Sequence, residues 1–153
     1  MFTTRRILAI TACVIGAFAA TNAAVATDGE TRTLTNNAFH EFASSICDPA
    51  AFTCNVTFPP SLYATTLVRA VSCAIHVSLG ATLGFQFGPA SSYETFYMPG
   101  SVFVAGGDLE VTSNAPTYQF LNKGDTPIVI ATVQTGTFTS GGTLSCTIAG
   151  EHS

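Results

Sequence analysis

Five cysteines, three histidines, nine carboxylate side chains and a single lysine are spread over 153 residues. These residues limit the chemistry open to the chain. Cys13 stands in an apolar N-terminal stretch. The other four, Cys47, Cys54, Cys73 and Cys146, form an even set, which in an exported chain reads as a disulfide framework. Four cysteines allow three pairings, and strand phase selects among them. In 65–77, Leu67, Val71, Cys73, Ile75 and Val77 share one parity, so a strand turns them to one face. In 143–148, Leu144, Cys146 and Ile148 do the same. Both cysteines therefore point with aliphatic neighbours, and a buried Cys73–Cys146 bridge is expected. Cys47 and Cys54 flank Asp48-Pro49-Ala50, a turn signal, and are expected to close a small loop. A zinc site needs cysteines or histidines at close regular spacing. None is present, and no metal or other cofactor is expected.

Acid–base and nucleophilic chemistry finds little purchase. There is no Gly-x-Ser-x-Gly elbow and no Ser-x-x-Lys. A triad defined by geometry alone would have to draw on His40, His76 or His152. His152 is next to the last residue and is expected to fray. His40 lies beside Glu41 near the start of the fold, and the parity of His76 makes it an outward strand residue. Asp108 and Glu110, two apart on one strand, read as a solvated acidic face. As a glycosidase pair they would have to face each other across a bond. As a calcium site with Gly106-Gly107 they offer too few of the six to eight oxygens needed. Gly141-Gly142 lacks the lysine and helix of a phosphate loop and reads as a hairpin turn. Asn55-Val56-Thr57 is a glycosylation sequon with Asn55 on outward parity, which matters only in a eukaryotic secretory route. The richest recognition stretch is 88–99. There Tyr93, Glu94 and Tyr97 could present rigid aromatic contact area, or the aromatics could close one end of the core.

The first 26 residues read as a secretory signal peptide: a basic start with Arg5 and Arg6, an apolar stretch 7–20, and Ala24-Val25-Ala26 before Thr27. A twin-arginine variant is a weaker reading, because paired arginines are common in ordinary signals, and so is a lipoprotein box at Cys13, which would cut the apolar stretch in half. The mature chain, 27–153, is expected to be one domain in the periplasm or beyond the cell. It holds three basic residues (Arg32, Arg69, Lys123) against nine acidic ones, hence a net charge of −6, and 19 threonines. Such a charge disfavours nucleic-acid binding. No apolar run is long enough for a helical membrane span.

Threonine abundance favours strands. Alternation recurs at 53–58, 83–87, Val102/Val104, Leu109/Val111, Tyr118/Phe120 and 129–133. Turn signals separate these runs: Pro59-Pro60, Gly88-Pro89, Pro99-Gly100, Gly106-Gly107, 114–116, 123–127 and Gly141-Gly142. The pattern predicts an all-β, two-sheet sandwich of eight or nine strands with jelly-roll or Greek-key connections. A loose lead-in is expected over 27–37. A helical turn is expected over 37–46, where Phe39, Phe42 and Ile46 recur at helical spacing. The expected role is a non-catalytic binding or structural module taking a protein or glycan ligand outside the cytoplasm. The alternatives are a small secreted hydrolase whose groups meet only in three dimensions, and a subunit of an extracellular assembly.

Overall fold

In a computed structural model, the structure describes residues 31–91, 95–105 and 108–153. The signal-peptide reading of 1–26 lies outside them. Ten strands are present among the described residues: β1 (Thr31–Thr35), β2 (Ala38–Ile46), β3 (Thr53–Thr57), β4 (Thr65–Val77), β5 (Thr82–Pro89), β6 (Phe96–Met98), β7 (Gly100–Ala105), β8 (Asp108–Asn122), β9 (Pro127–Thr135) and β10 (Thr143–His152). They form a six-stranded sheet, in the order β1-β2-β10-β4-β8-β7, and a four-stranded sheet, β3-β9-β5-β6. Every pairing is antiparallel. The pairs β2–β10, β3–β9, β4–β8 and β5–β6 are those of a hairpin rolled up on itself, which is the jelly-roll connection. β1 and β7 extend the larger sheet at its two edges.

The core lies between the sheets. Phe58, Phe85, Phe87, Phe138, Ile75, Leu121, Leu144 and Ile148 are fully buried there. Both expected bridges are present. Cys73 (3% exposed) and Cys146 (1%) are direct cross-strand partners on β4 and β10, with Cα atoms 4.1 Å apart. That spacing suits a non-hydrogen-bonded pair of an antiparallel ladder. Cys47–Cys54 links the end of β2 to β3, so the shorter loop carries the bridge between sheets. Disulfides of this kind persist in oxidising, extracytoplasmic compartments. No helix of the described residues is long and apolar enough to cross a membrane.

The structure corrects several sequence expectations. Residues 38–46 are strand, not helix: Phe39, Glu41 and Ala43 are buried in alternation, while Phe42 and Ile46 turn outward. Glu41 holds an inward position because Arg32 of β1 pairs with it. Residues 31–35 of the expected lead-in are the edge strand β1, joined to β2 by a tight turn with Asn36 at φ 51°. Asparagine tolerates that left-handed conformation. The break expected at 114–116 does not occur, and β8 runs through it. Pairing with β7 stops at Ser113, so Pro116 lies where β8 has become an edge, a position that tolerates proline. Tyr118 and Phe120 face outward, with Leu121 inward. In β4 a register shift between Val68 and Ala70 inverts the phase, so Val68 is fully buried while Leu67 is only half-buried. His152 is not frayed. It continues the inward parity of Leu144, Cys146 and Ile148 and is 8% exposed.

Candidate functional site

Three places gather chemistry-bearing side chains. The roomiest is a groove of about 400 Å³ on the outer face of the six-stranded sheet, lined by Ala74, His76, Asp108, Thr139, Ser140, Gly141, Gly142, Thr143 and Ser145. Strand alternation builds its floor. Val77 and Ile75 turn inward, so His76 and Ala74 turn out, and Ser145 stands directly across from Ala74. Glu110 lies across from His76 on β8. The 136–142 connection forms the wall. The Thr139 hydroxyl donates to the His76 carbonyl (3.2 Å), and the Gly142 amide donates to the Thr139 carbonyl (2.9 Å). A side chain at Gly142 would meet Thr139 Oγ1 at 2.8 Å and its carbonyl at 3.0 Å, so the turn closes this tightly only around glycine.

The groove is anionic. Arg32 and Arg69 are engaged with Glu41 and Glu151, and Lys123 lies past the far end of β8 from Asp108. Neither Asp108 nor Glu110 has an ion-pair partner among the described residues. The groove brings an imidazole, a carboxylate and two serines together, but no hydrogen bond joins these side chains among the described residues. Among the described residues, no group of three or more histidine, cysteine or acidic side chains is placed to hold a metal ion.

A second site is a recess of about 100 Å³ on the outer face of the four-stranded sheet, lined by Gly84, Gln86, Tyr97, Thr132 and Gln134. Phe85, Phe87, Ala131 and Val133 fill the inner face, so the alternate residues are presented outward. Of the residues marked out in the 88–99 stretch, Tyr97 is here, in β6 and 76% exposed, directly opposite Gln86. It does not close the core. Met98 and half-buried Phe96 do that, Phe96 meeting Phe87 edge-on at 5.7 Å. Tyr93 and Glu94 lie outside the described residues. Asn55 is exposed on the same outer face, in β3.

The third place is interior and was missed in the sequence. Arg32, Glu41, Ser61, Thr66 and His152 surround a cavity of about 20 Å³ at one end of the sandwich, room for about one water. Arg32 Nε lies 2.6 Å from Glu41 Oε1, with the two side chains 8% and 6% exposed. Arg32 Nη2 also donates to the carbonyls of Pro59 (3.0 Å) and Pro60 (3.1 Å). Ser61 and Thr66 hydroxyls are 2.7 Å apart. The His152 ring stacks on Tyr63 with centroids 3.6 Å apart, and its Nδ1 is buried without a hydrogen-bond partner among the described residues. Serine, histidine and carboxylate thus converge here too. However, the serine is committed to Thr66 and the carboxylate to Arg32, so the arrangement joins β1 and the 59–66 segment to the end of β10. Extending the parity of β10 by one more pair of residues would have placed His152 inside. His40 is exposed on the outer face of β2 and belongs to none of the three.

No protein-family model matches the chain, and no match was found among the curated proteins or the solved structures compared with it.

Proposed function

We propose that the chain is an exported, non-catalytic ligand-binding module whose recognition site is the His76 groove. The observation that carries this reading is the groove itself. Its volume of about 400 Å³ falls in the range of small-molecule sites. Of its polar side chains, His76, Asp108, Thr143 and Ser145 stand on strands held by cross-strand pairing, and the Cys73–Cys146 bridge ties β4 to β10. The two carboxylates near His76 select a ligand that is neutral or positively charged and rich in hydrogen-bonding groups. Export by way of residues 1–26 supplies the oxidising compartment that the bridges require.

Ligand-observed NMR on the mature protein, with a panel of sugars, amino acids, polyamines and organic acids, tests the proposal. Binding by sugars or amines that His76→Ala and Asp108→Asn abolish is the expected result. Silence across the panel, or binding that both variants retain, would refute it. The rival reading, a hydrolase, draws on the same groove, because His76, Asp108, Ser140 and Ser145 share it. Catalysis would need a nucleophile–base hydrogen bond to form when substrate arrives. Turnover of ester, glycoside or peptide substrates that is lost in His76→Ala and Ser140→Ala would decide for the rival.

A further inference from the structure

We infer that the Tyr97 recess is a second binding site, for a neutral pyranose sugar carried on a glycan chain. It lies on the opposite sheet from the His76 groove and stands whether or not that groove binds anything. Four observations converge. First, Tyr97 is a large aromatic ring left 76% exposed on a strand, beside a recess rather than over the core. Second, the floor beneath is open. Gly84 has no side chain, and a Cβ built there would touch only Gln134 Nε2, at 4.0 Å. Third, the Gln86 and Gln134 amides and the Thr132 hydroxyl line the recess, and none of them has a side-chain hydrogen bond among the described residues. Fourth, the lining carries no charge, so an ionic ligand would lose hydration without gaining a counter-charge.

A pyranose meets all four. Its C–H face is apolar and flat enough to lie on a tyrosine ring. Its hydroxyls each donate and accept, as a planar glutamine amide does. The register fixes the layout. Gln86 stands between Tyr97 on one side and half-buried Ile130 on the other, with Asn55 beyond. Beyond the recess, this row of outward side chains runs on across the sheet, which suits successive residues of a chain better than a free monosaccharide. Tyr97 supplies the stacking surface, and Gln86 and Gln134 set the orientation of the bound ring.

The test is a titration of the mature protein with cellohexaose, chitohexaose, xylohexaose and mannohexaose, followed by ¹⁵N-correlated NMR of the glutamine side-chain amides. At least one hexaose is expected to shift the Gln86 and Gln134 signals. Tyr97→Ala is expected to weaken its binding by about tenfold or more, and Tyr97→Phe to retain most of it. Tyr118→Ala removes an equally exposed tyrosine from the other sheet (73% exposed) and is expected to bind as the parent does. No shift with any of the four sugars would overturn the inference. Equal binding by Tyr97→Ala, or loss in Tyr118→Ala instead, would do the same. All three variants alter exposed side chains, and an unchanged amide spectrum elsewhere shows that each is folded.

Discussion

Removing the Cys73–Cys146 bridge by a double alanine substitution should lower stability more than removing Cys47–Cys54 in the same way. The bridges close loops with sequence separations of 73 and 7. In the chain-entropy account, a cross-link stabilises by restricting the unfolded chain, and the effect grows with the logarithm of loop length. The long loop gives about 4.5 kcal/mol and the short one about 2.5 kcal/mol at room temperature. The unfolding entropy is about 2.1 cal/mol/K per residue. Over about 120 residues, the two losses correspond to falls in Tm of roughly 18 °C and 10 °C. The loops do not overlap in sequence, so the effects should add. Their sum is comparable to the whole stability of an ordinary domain, about 5–15 kcal/mol, and the chain without either bridge should be largely unfolded at body temperature. Urea and thermal unfolding followed by circular dichroism would measure this. A Cys47/Cys54 variant that loses as much as the Cys73/Cys146 variant, or more, would refute the loop-length reasoning. It would show that the link between the two sheets matters more than the length of chain enclosed.

Other perturbations have equally definite outcomes. Arg32→Met leaves the Glu41 carboxylate buried without its guanidinium and should cost about 3 kcal/mol or more in urea unfolding, with Arg32→Met/Glu41→Leu recovering much of the loss. Gly150→Ala should fail to give soluble folded protein, because the added Cβ would overlap the Leu67 carbonyl oxygen and lie 2.8 Å from Phe39 Cε1. Gly124→Ala, where the space is open, should fold with only the modest strain of its positive φ. The Arg69 side-chain hydrogen bond holds the Glu151 carboxyl below its ordinary range, and Arg69 itself is raised by the same bond. A depressed folded-state pKa contributes stability above the unfolded carboxylate value and loses it as pH falls through the folded value. Arg69→Met should therefore differ slightly from the parent at neutral pH and converge with it in strong acid, a small effect for a pair about half exposed. Urea titrations at several pH values would measure the difference.

The legible parts of the fold are those where alternation is carried by unambiguous apolar residues. Cys73 and Cys146 could be paired because each has aliphatic neighbours of its own parity on both sides, Val71 and Ile75 for one and Leu144 and Ile148 for the other. The outward parity of His76 was legible for the same reason. The illegible parts involve residues whose placement depends on a partner distant in sequence. Glu41 hid the alternation of β2, since an inward carboxylate makes sense only once Arg32 is seen beside it. Phe42 and Ile46 then mimicked a helical stripe. The bulge beside Arg69 moved Leu67 off the core face, and its one local sign is Arg69 itself, a charged residue on the same parity as Leu67 and Val71. Tyr118 and Phe120 alternate perfectly, but alternation does not say which face is inward. In the candidate sites, Tyr97 was visible as an aromatic in a turn-rich stretch. The neighbours that make it a recess, Gly84, Gln86, Thr132 and Gln134, come from β5 and β9, and only the pairing of sheet strands brings them together. The His76 groove depends likewise on the 136–142 connection folding back over β4.

Mass spectrometry of the exported protein, alkylated before and after reduction, would show whether β4 and β10 are joined by sulfur outside the reducing cell interior. The exported chain should begin at Thr27 and weigh four hydrogens less than its reduced form. It should resist alkylation until reductant is added, and should yield peptides linked 47 to 54 and 73 to 146. Free thiols at Cys73 and Cys146 in exported material, or residues 1–26 still attached to it, would contradict the account.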